Sequence, residues 1–207
     1  MHAHPSDKLP DAKRARLFQV ARGEFAARGF SQASLNRIIS QVGMSKSSFY
    51  HYFANKSDLF RQSFLDALAP ILRLADSLEI DAGRAADVWP AITRMAMQVM
   101  PIVHASPEIV MAGRMFYRSR EDAAGTAVTE PFLTGFSGWL SRQLAAGQAL
   151  GAFRRDLPES LLIDLLMAMG MSMDRWMLAH WEQMDEARRL HLTDAGFDLL
   201  RRLLAPG

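Results

Sequence analysis

The segment "ASLNRIISQVGMSKSSFYHYFANKSDLF" (residues 33–60) contains two short helical patterns separated by one glycine turn. Leu35, Ile38, Ile39 and Val42 follow the i, i+3, i+4, i+7 template, with Ser34 placed to cap the start and Gly43 to end it. Only Met44 stands between Gly43 and the next capping residue, Ser45, so the two patterns form a helix-turn-helix. The second helix, from about Ser45 to Phe53, divides its residues by face. Phe49 and Phe53 share one side, with Met44 near its start, and are expected to pack under the preceding helices. Lys46, Ser47, Ser48, Tyr50 and His51 are left on the exposed side and the N-terminal end. Serine is a weak helix former because its hydroxyl competes for the backbone, so a serine-rich exposed face implies a partner outside the chain.

The same punctuation extends in both directions. Upstream, Leu17, Phe18, Ala21 and Phe25 recur at helical spacing, and Gly29 supplies a stop before Phe30. Downstream, Asn55 with Asp58 three residues later resembles a capping box, opening a helix through Phe60, Phe64 and Leu68 that Pro70 kinks or ends. Pro90 is expected near a helix start after Asp87, with Pro101 ending that helix. "SPE" (106–108), "TEPF" (129–132) and "DLPE" (156–159) are read as three further helix starts, the first with Ser106 as cap and Pro107 at the first helical position. A final helix is expected from about Asp185 to Leu204. No alternating β-branched run argues for a strand. The expected fold is all-α, with an N-terminal three-helix helix-turn-helix domain (10–57) and a C-terminal helical domain (58–207).

Charge distinguishes these halves. Nine Lys and Arg face four Asp and Glu through residue 60, against fifteen and eighteen beyond it, and all four lysines lie in the first part. A basic domain followed by a mildly acidic one points to a polyanion as partner of the first. The chain has no cysteine, which excludes disulfides and thiolate metal sites. The start has no signal-peptide pattern and no stretch approaches the roughly 18 apolar residues of a membrane span, so the expected location is the cytoplasm, with no membrane partner. His51, His104, His180 and His191 form no metal-ligand spacing, while His2 and His4 are assigned to a disordered terminus. With no nucleophile elbow, phosphate-binding glycine loop or dinucleotide fingerprint, the reading is of a protein that is not an enzyme and needs no metal or cofactor.

The second helix of a helix-turn-helix enters the major groove with its N-terminal residues against base edges. Serine hydroxyls donate or accept there, while Lys46, His51 and Lys56 are placed for phosphates on either side, as are the free N–H groups at the start near Ser45. The complete segment, with the preceding helix ending "FAARGF", closely resembles the DNA-binding signature of the tetracycline-repressor (TetR) family over roughly residues 12–60. That resemblance implies that Ser47, Ser48 and Tyr50 face bases or their phosphates, and that Ser34, Lys46, His51 and Lys56 clamp the backbone. Ser47 stands where the family often has glycine or alanine, and Arg37 where it often has an acidic residue.

"LLIDLLMAMGMSM" (161–173) has one charge, Asp164, and is apolar on every side. The last helix carries two apolar stripes, Leu190, Phe197, Leu200 and Leu204 on one and Leu192, Leu199 and Leu203 on the other. Two consecutive helices with more apolar surface than one core requires imply a homodimer paired as a four-helix bundle, with Leu165, Met169, Phe197, Leu200 and Leu204 at the interface. The middle helices concentrate methionine beside aromatic residues, a composition suited to a shape-adaptable apolar pocket. Trp89, Met111, Met115, Phe136, Trp139, Met171 and Trp176 are its expected lining. The functional reading is a ligand-responsive repressor that binds a palindromic double-stranded DNA operator and is released by a small hydrophobic effector. The alternatives are a regulator with no small-molecule ligand and a non-catalytic helical interaction module.

Overall fold

A computed structural model describes residues 4–74 and 82–206, and among these every regular element is helical. The order is a 3-10 turn at Pro5–Lys8, then α1 (Asp11–Gln32), α2 (Leu35–Gln41), α3 (Lys46–Tyr52), α4 (Lys56–Leu72), α5 (Ala85–Ala105), α6 (Pro107–Ser119), α7 (Ala123–Ala149), α8 (Glu159–His180), a 3-10 turn at Trp181–Gln183, and α9 (Glu186–Leu204). No helix among the described residues is long and apolar enough to cross a membrane.

The chain divides into two compact units. The first comprises Met1–Leu72 with Ser106–Pro131, and the second Arg73–Ala105 with Phe132–Gly207. In the first unit, the predicted stripe of α1 is the core: Leu17, Phe18, Ala21 and Phe25 are all buried. Gly29 leaves helical geometry (φ 72°, ψ 176°), which turns Phe30 back onto Phe25 and Phe60 at ring separations of 6.0 and 5.7 Å. Helix α6 packs against α1 and α4, and Phe116 stacks on Phe64 at 5.7 Å. Arg22, nearly inaccessible, is satisfied there by the Ser63 carbonyl at 2.9 Å and the Asp66 carboxylate at 3.1 Å.

The second unit has its own core of Val88, Leu144, Phe153, Leu162, Ile163, Leu166 and Leu204. Its chain end is tied down by Arg154, whose backbone N–H donates to the Leu204 carbonyl at 2.9 Å while its guanidinium grips Asp156. Asp156 therefore serves this ion pair, and α8 starts three residues later than expected, with Pro158 as N-cap.

Two proline readings require correction. Pro101 does not end α5, which continues to Ala105, where Ser106 caps α6 by accepting the Ile109 N–H. "TEPF" does not open a helix, because α7 already begins at Ala123, where the Asp122 carboxylate accepts the Gly125 N–H at 2.8 Å. Thr129 is fully buried, its hydroxyl 3.0 Å from the Gly125 carbonyl and accepting from Arg120, so it cannot cap. A proline in a helix interior removes one backbone bond, and both Pro101 and Pro131 lie inside continuous helices.

Two glycines separate crowding from backbone entropy. A Cβ on Gly125 would lie 1.9 Å from the Ser119 carbonyl oxygen, a backbone atom with little freedom to retreat, whereas one on Gly23 meets nothing within 4 Å. Gly125→Ala should destabilise the protein by about 2 kcal/mol through overpacking, and Gly23→Ala, in mid-helix, should stabilise it by roughly 0.5–1 kcal/mol. Denaturant unfolding of the two variants beside the parent checks both signs.

Candidate nucleic-acid interface

The α2–α3 pair is built by three local devices. Ser34 Oγ accepts the Arg37 N–H at 3.3 Å and starts α2, and Ser45 Oγ accepts the Ser48 N–H at 3.1 Å and starts α3. Between them Gly43 takes φ 61°, a conformation that side chains strongly disfavour, and Met44 returns its N–H to the Ile39 carbonyl at 2.9 Å. Phe49 and Phe53 then bury the inner face of α3, stacked on each other at 5.2 Å, with Phe18 edge-on to Phe53 at 6.1 Å.

The outer face stays open. Ser45, Lys46, Ser47, Tyr50 and His51 are exposed and Ser48 is half-buried. Tyr50, 58% exposed, is braced edge-on against Phe49 at 5.2 Å, so its hydroxyl projects from a fixed base. His51 lies edge-on to Tyr52 at 4.8 Å. Hydroxyls, an ammonium and an imidazole on one exposed face match what base edges and flanking phosphates require. Among the described residues, no group of His, Asp or Glu could hold a metal ion.

Two cations of the region have tasks within the protein. Arg37 pairs with Glu24 at 2.7 Å, and the same carboxylate accepts the Ser34 N–H at 3.0 Å, tying α2 to α1. Lys56, expected on a phosphate, directs its ammonium at the carbonyls of Phe30, Ser31 and Ala33, 2.8–3.3 Å away, and lies over the Phe30 ring at 4.7 Å. It collects the carbonyls that the end of α1 leaves unpaired. Loss of water around this ammonium pulls its pKa below the ordinary lysine value, with nearby Asp122 opposing.

Asp58 was legible only in part. Its N–H donates to Asn55 Oδ1 at 2.9 Å as a capping box requires, but its carboxylate takes the Ala54 N–H at 3.0 Å, and Arg61 at 3.0 Å. It also meets His4 Nε2 at 3.2 Å. His4 is therefore ordered, contrary to the expectation for it, whereas His2 lies outside the described residues. Burial pushes the Asp58 carboxyl up, yet Ala54, Arg61, His4 and Gln62 together outweigh it and hold the group below the usual carboxylate range.

The residues expected around a ligand are distributed over both units. Met111 and Met115 belong to the first, where Met115 is fully buried core. In the second unit Phe136 stacks on Trp139 at 5.6 Å and Trp176 on His180 at 4.2 Å, while Trp89 meets Phe153 at 5.5 Å. Met171 is half-buried. Trp89 also lines an open groove of about 590 Å³ with Pro90, Thr93, Arg94 and Arg201. His104 Nδ1 is buried with no hydrogen-bond partner among the described residues.

Of the expected interface residues, Leu165 is exposed and Met169, Phe197 and Leu200 are half-buried. Leu204 differs. Arg154 draws its carbonyl inward and its side chain joins the subunit's own core, 4% exposed. Leu161 and Trp176 of α8 and Leu190 and Leu199 of α9, the last two on the stripes read from the sequence, are exposed as well.

The profile of bacterial regulatory proteins of the tetR family matches residues 17–62, the span from α1 into α4. The HTH-type transcriptional repressor SCO4008 of Streptomyces coelicolor is 31% identical over 163 residues, covering 77% of each chain. The HTH-type transcriptional regulator YdgC of Bacillus subtilis is 26% identical over 157 residues, covering 75% of this chain and 76% of that one. Among solved structures, the transcriptional regulator FadR from Bacillus subtilis, in complex with stearoyl-CoA, superposes with a TM-score of 0.68 at 15% identity, covering 92% of this chain and 97% of that one.

The Asp58 network carries a pH signature. A carboxyl depressed in the folded state contributes stability that is complete above its unfolded pKa, about 3.9, and is lost as pH falls through the lower folded value. Asp58→Asn should therefore be less stable than the parent at neutral pH and lose less on acidification below about pH 4. Thermal melts across that range measure the convergence of the two curves.

Proposed function

This chain belongs to the tetR family of bacterial regulatory proteins, and on that premise we propose that it is an effector-responsive repressor acting as a homodimer on a palindromic operator. The observation that carries the proposal is the face of α3, where Ser47, Ser48 and Tyr50 stand open between Lys46 and His51 on a mount of buried Phe49 and Phe53. In this reading residues 10–57 bind DNA. Ser47, Ser48 and Tyr50 read base edges, and Ser34, Ser45, Lys46 and His51 hold phosphates. Residues 58–207 bind the effector and the second subunit, and the protein performs no catalysis.

The exposed leucines of α8 and α9 support pairing of two copies through these helices. A dimer places two recognition helices one DNA turn apart, about 34–36 Å, so a shift of a few ångströms between them is enough to lose register. The complex of the similarly folded FadR with stearoyl-CoA supports long-chain acyl-CoA as the first effector class to test. In this reading Trp89, Phe136, Trp139, Met171 and Trp176 are the effector contacts within the second unit. A compound that prefers the DNA-incompetent state must weaken operator binding, and operator must weaken its binding by the same factor.

The test begins by selecting an operator with the wild-type chain from a random-sequence duplex pool. Lys46→Ala should weaken binding to every sequence and lower the salt slope by about 0.9, the value for one phosphate contact. Ser48→Ala and Tyr50→Ala should instead reorder the affinities among operator variants. Equal losses on operator and random DNA for all three would contradict this division of roles.

Assembly and effector are tested separately. Leu165→Asp should convert the dimer to a monomer in sedimentation equilibrium, because an unpaired charge is not tolerated in an apolar interface. A wild-type monomer at micromolar concentration overturns the pairing. Stearoyl-CoA should quench tryptophan fluorescence and do so with lower affinity when operator is present. Equal affinity with and without operator would leave a ligand site but no switch.

A further inference from the structure

The residues before α1 make contacts that DNA reading does not require of them. The turn Pro5–Lys8 packs against α3, with Ser6 and Leu9 buried to 2% and 3% exposure. His4 caps this turn. Its Nδ1 accepts the Ser6 N–H at 3.1 Å with the Ser6 hydroxyl 2.7 Å away, and its own N–H donates to Asp7 at 2.9 Å. Because a backbone N–H only donates, Nδ1 carries no proton, and the ring proton sits on Nε2, directed at Asp58 Oδ2 3.2 Å away. The imidazole also lies against Phe53, ring centroids 5.9 Å apart.

Asp58 Oδ2 thus serves two donors, His4 and the Ala54 N–H, while Oδ1 faces Arg61 and Gln62. Ala54 directly follows Phe53, the C-cap of α3, so this carboxylate oxygen fixes the chain where the recognition helix ends. The carboxylate is 8% exposed, and water cannot easily replace a lost donor at such a site. Helix α3 has only seven residues, too few to hold itself, so its orientation is set by these ties and by its two phenylalanines.

We propose that His4 is a positioning residue for the recognition helix: through Asp58 and Phe53 it fixes the end of α3, so operator affinity depends on a side chain that does not touch DNA. The inference rests on α3 being the DNA reader. It assigns to the N-terminal turn a part in recognition that comes from bracing rather than contact. The imidazole joins two requirements that smaller side chains separate. Asparagine reproduces the Nδ1 acceptor that caps the turn, and glutamine reproduces the reach and the N–H of Nε2.

The experiment uses the full chain, the operator selected by wild type, and His4→Ala, His4→Gln and His4→Asn, each assayed well below its measured melting temperature. His4→Ala should lower operator affinity roughly tenfold, the scale of one hydrogen bond to a charged group. Its salt slope should stay unchanged, since no phosphate contact is removed. Amide exchange at Ala54 should quicken. His4→Gln should restore most of the affinity and the Ala54 protection, and His4→Asn should restore neither. Wild-type affinity in His4→Ala overturns the proposal, as does equal rescue by asparagine, which would assign the effect to the turn's cap. A fall in salt slope overturns it too, by making His4 a direct phosphate contact. Failure of the wild-type chain to select any operator would count against the DNA-reading function itself, so the two failures are distinguishable.

Discussion

A helix of seven residues cannot orient itself, and the functional half of this protein is organised around that constraint. Isolated helices of such length are marginal in water, so the direction of α3 must come from what it packs on and what ties its ends. Phe49 and Phe53 supply the packing, Ser45 fixes the start, and Asp58 fixes the exit through Ala54. The outer face can then carry serines of low helix propensity, because propensity contributes little where tertiary contacts decide the conformation.

The same economy governs the polar groups around it. Lys56 takes three carbonyls at the end of α1, Glu24 serves both Arg37 and the Ser34 N–H, and Asp122 meets both Ser31 and Gly125. Each is a charged group collecting backbone donors or acceptors that the breaks between helices leave unpaired. Arg37, where the family often has an acidic residue, is accounted for by its partner Glu24. These ties join α1, α2, α4 and the α6–α7 corner, so the helix-turn-helix shares one compact unit with a segment from much later in the chain.

In the second unit the apolar surface of α8 and α9 is partly buried and partly exposed. Leu162, Ile163, Leu166 and Leu204 are consumed by the subunit's own core, while Leu161, Leu165, Leu190 and Leu199 stay exposed. Excess apolar surface was legible in the composition of both helices, but its allocation was not. Leu204 reads as part of the stripe with Phe197, yet the Arg154 tie to its carbonyl draws the helix end inward.

Residues 33–60 by themselves determined the caps at Ser34 and Ser45, the turn at Gly43 and the split between buried phenylalanines and exposed serines. All of these are local, set by side chains reaching the backbone three residues away or by the preferred φ of one glycine. What the sequence could not determine were partners at long range. His4 meets Asp58 across 54 positions, Lys56 reaches carbonyls 23 to 26 residues before it, and Ser31 bonds Asp122 across 91. The start of α7 is local as well, since Asp122 caps Gly125 three residues on and Thr129 bonds Gly125 and Arg120, but the proline of "TEPF" reads equally well as a helix start. Partners 23 or more positions away leave no periodic or capping pattern in the sequence, because only the packing of distant segments brings them together.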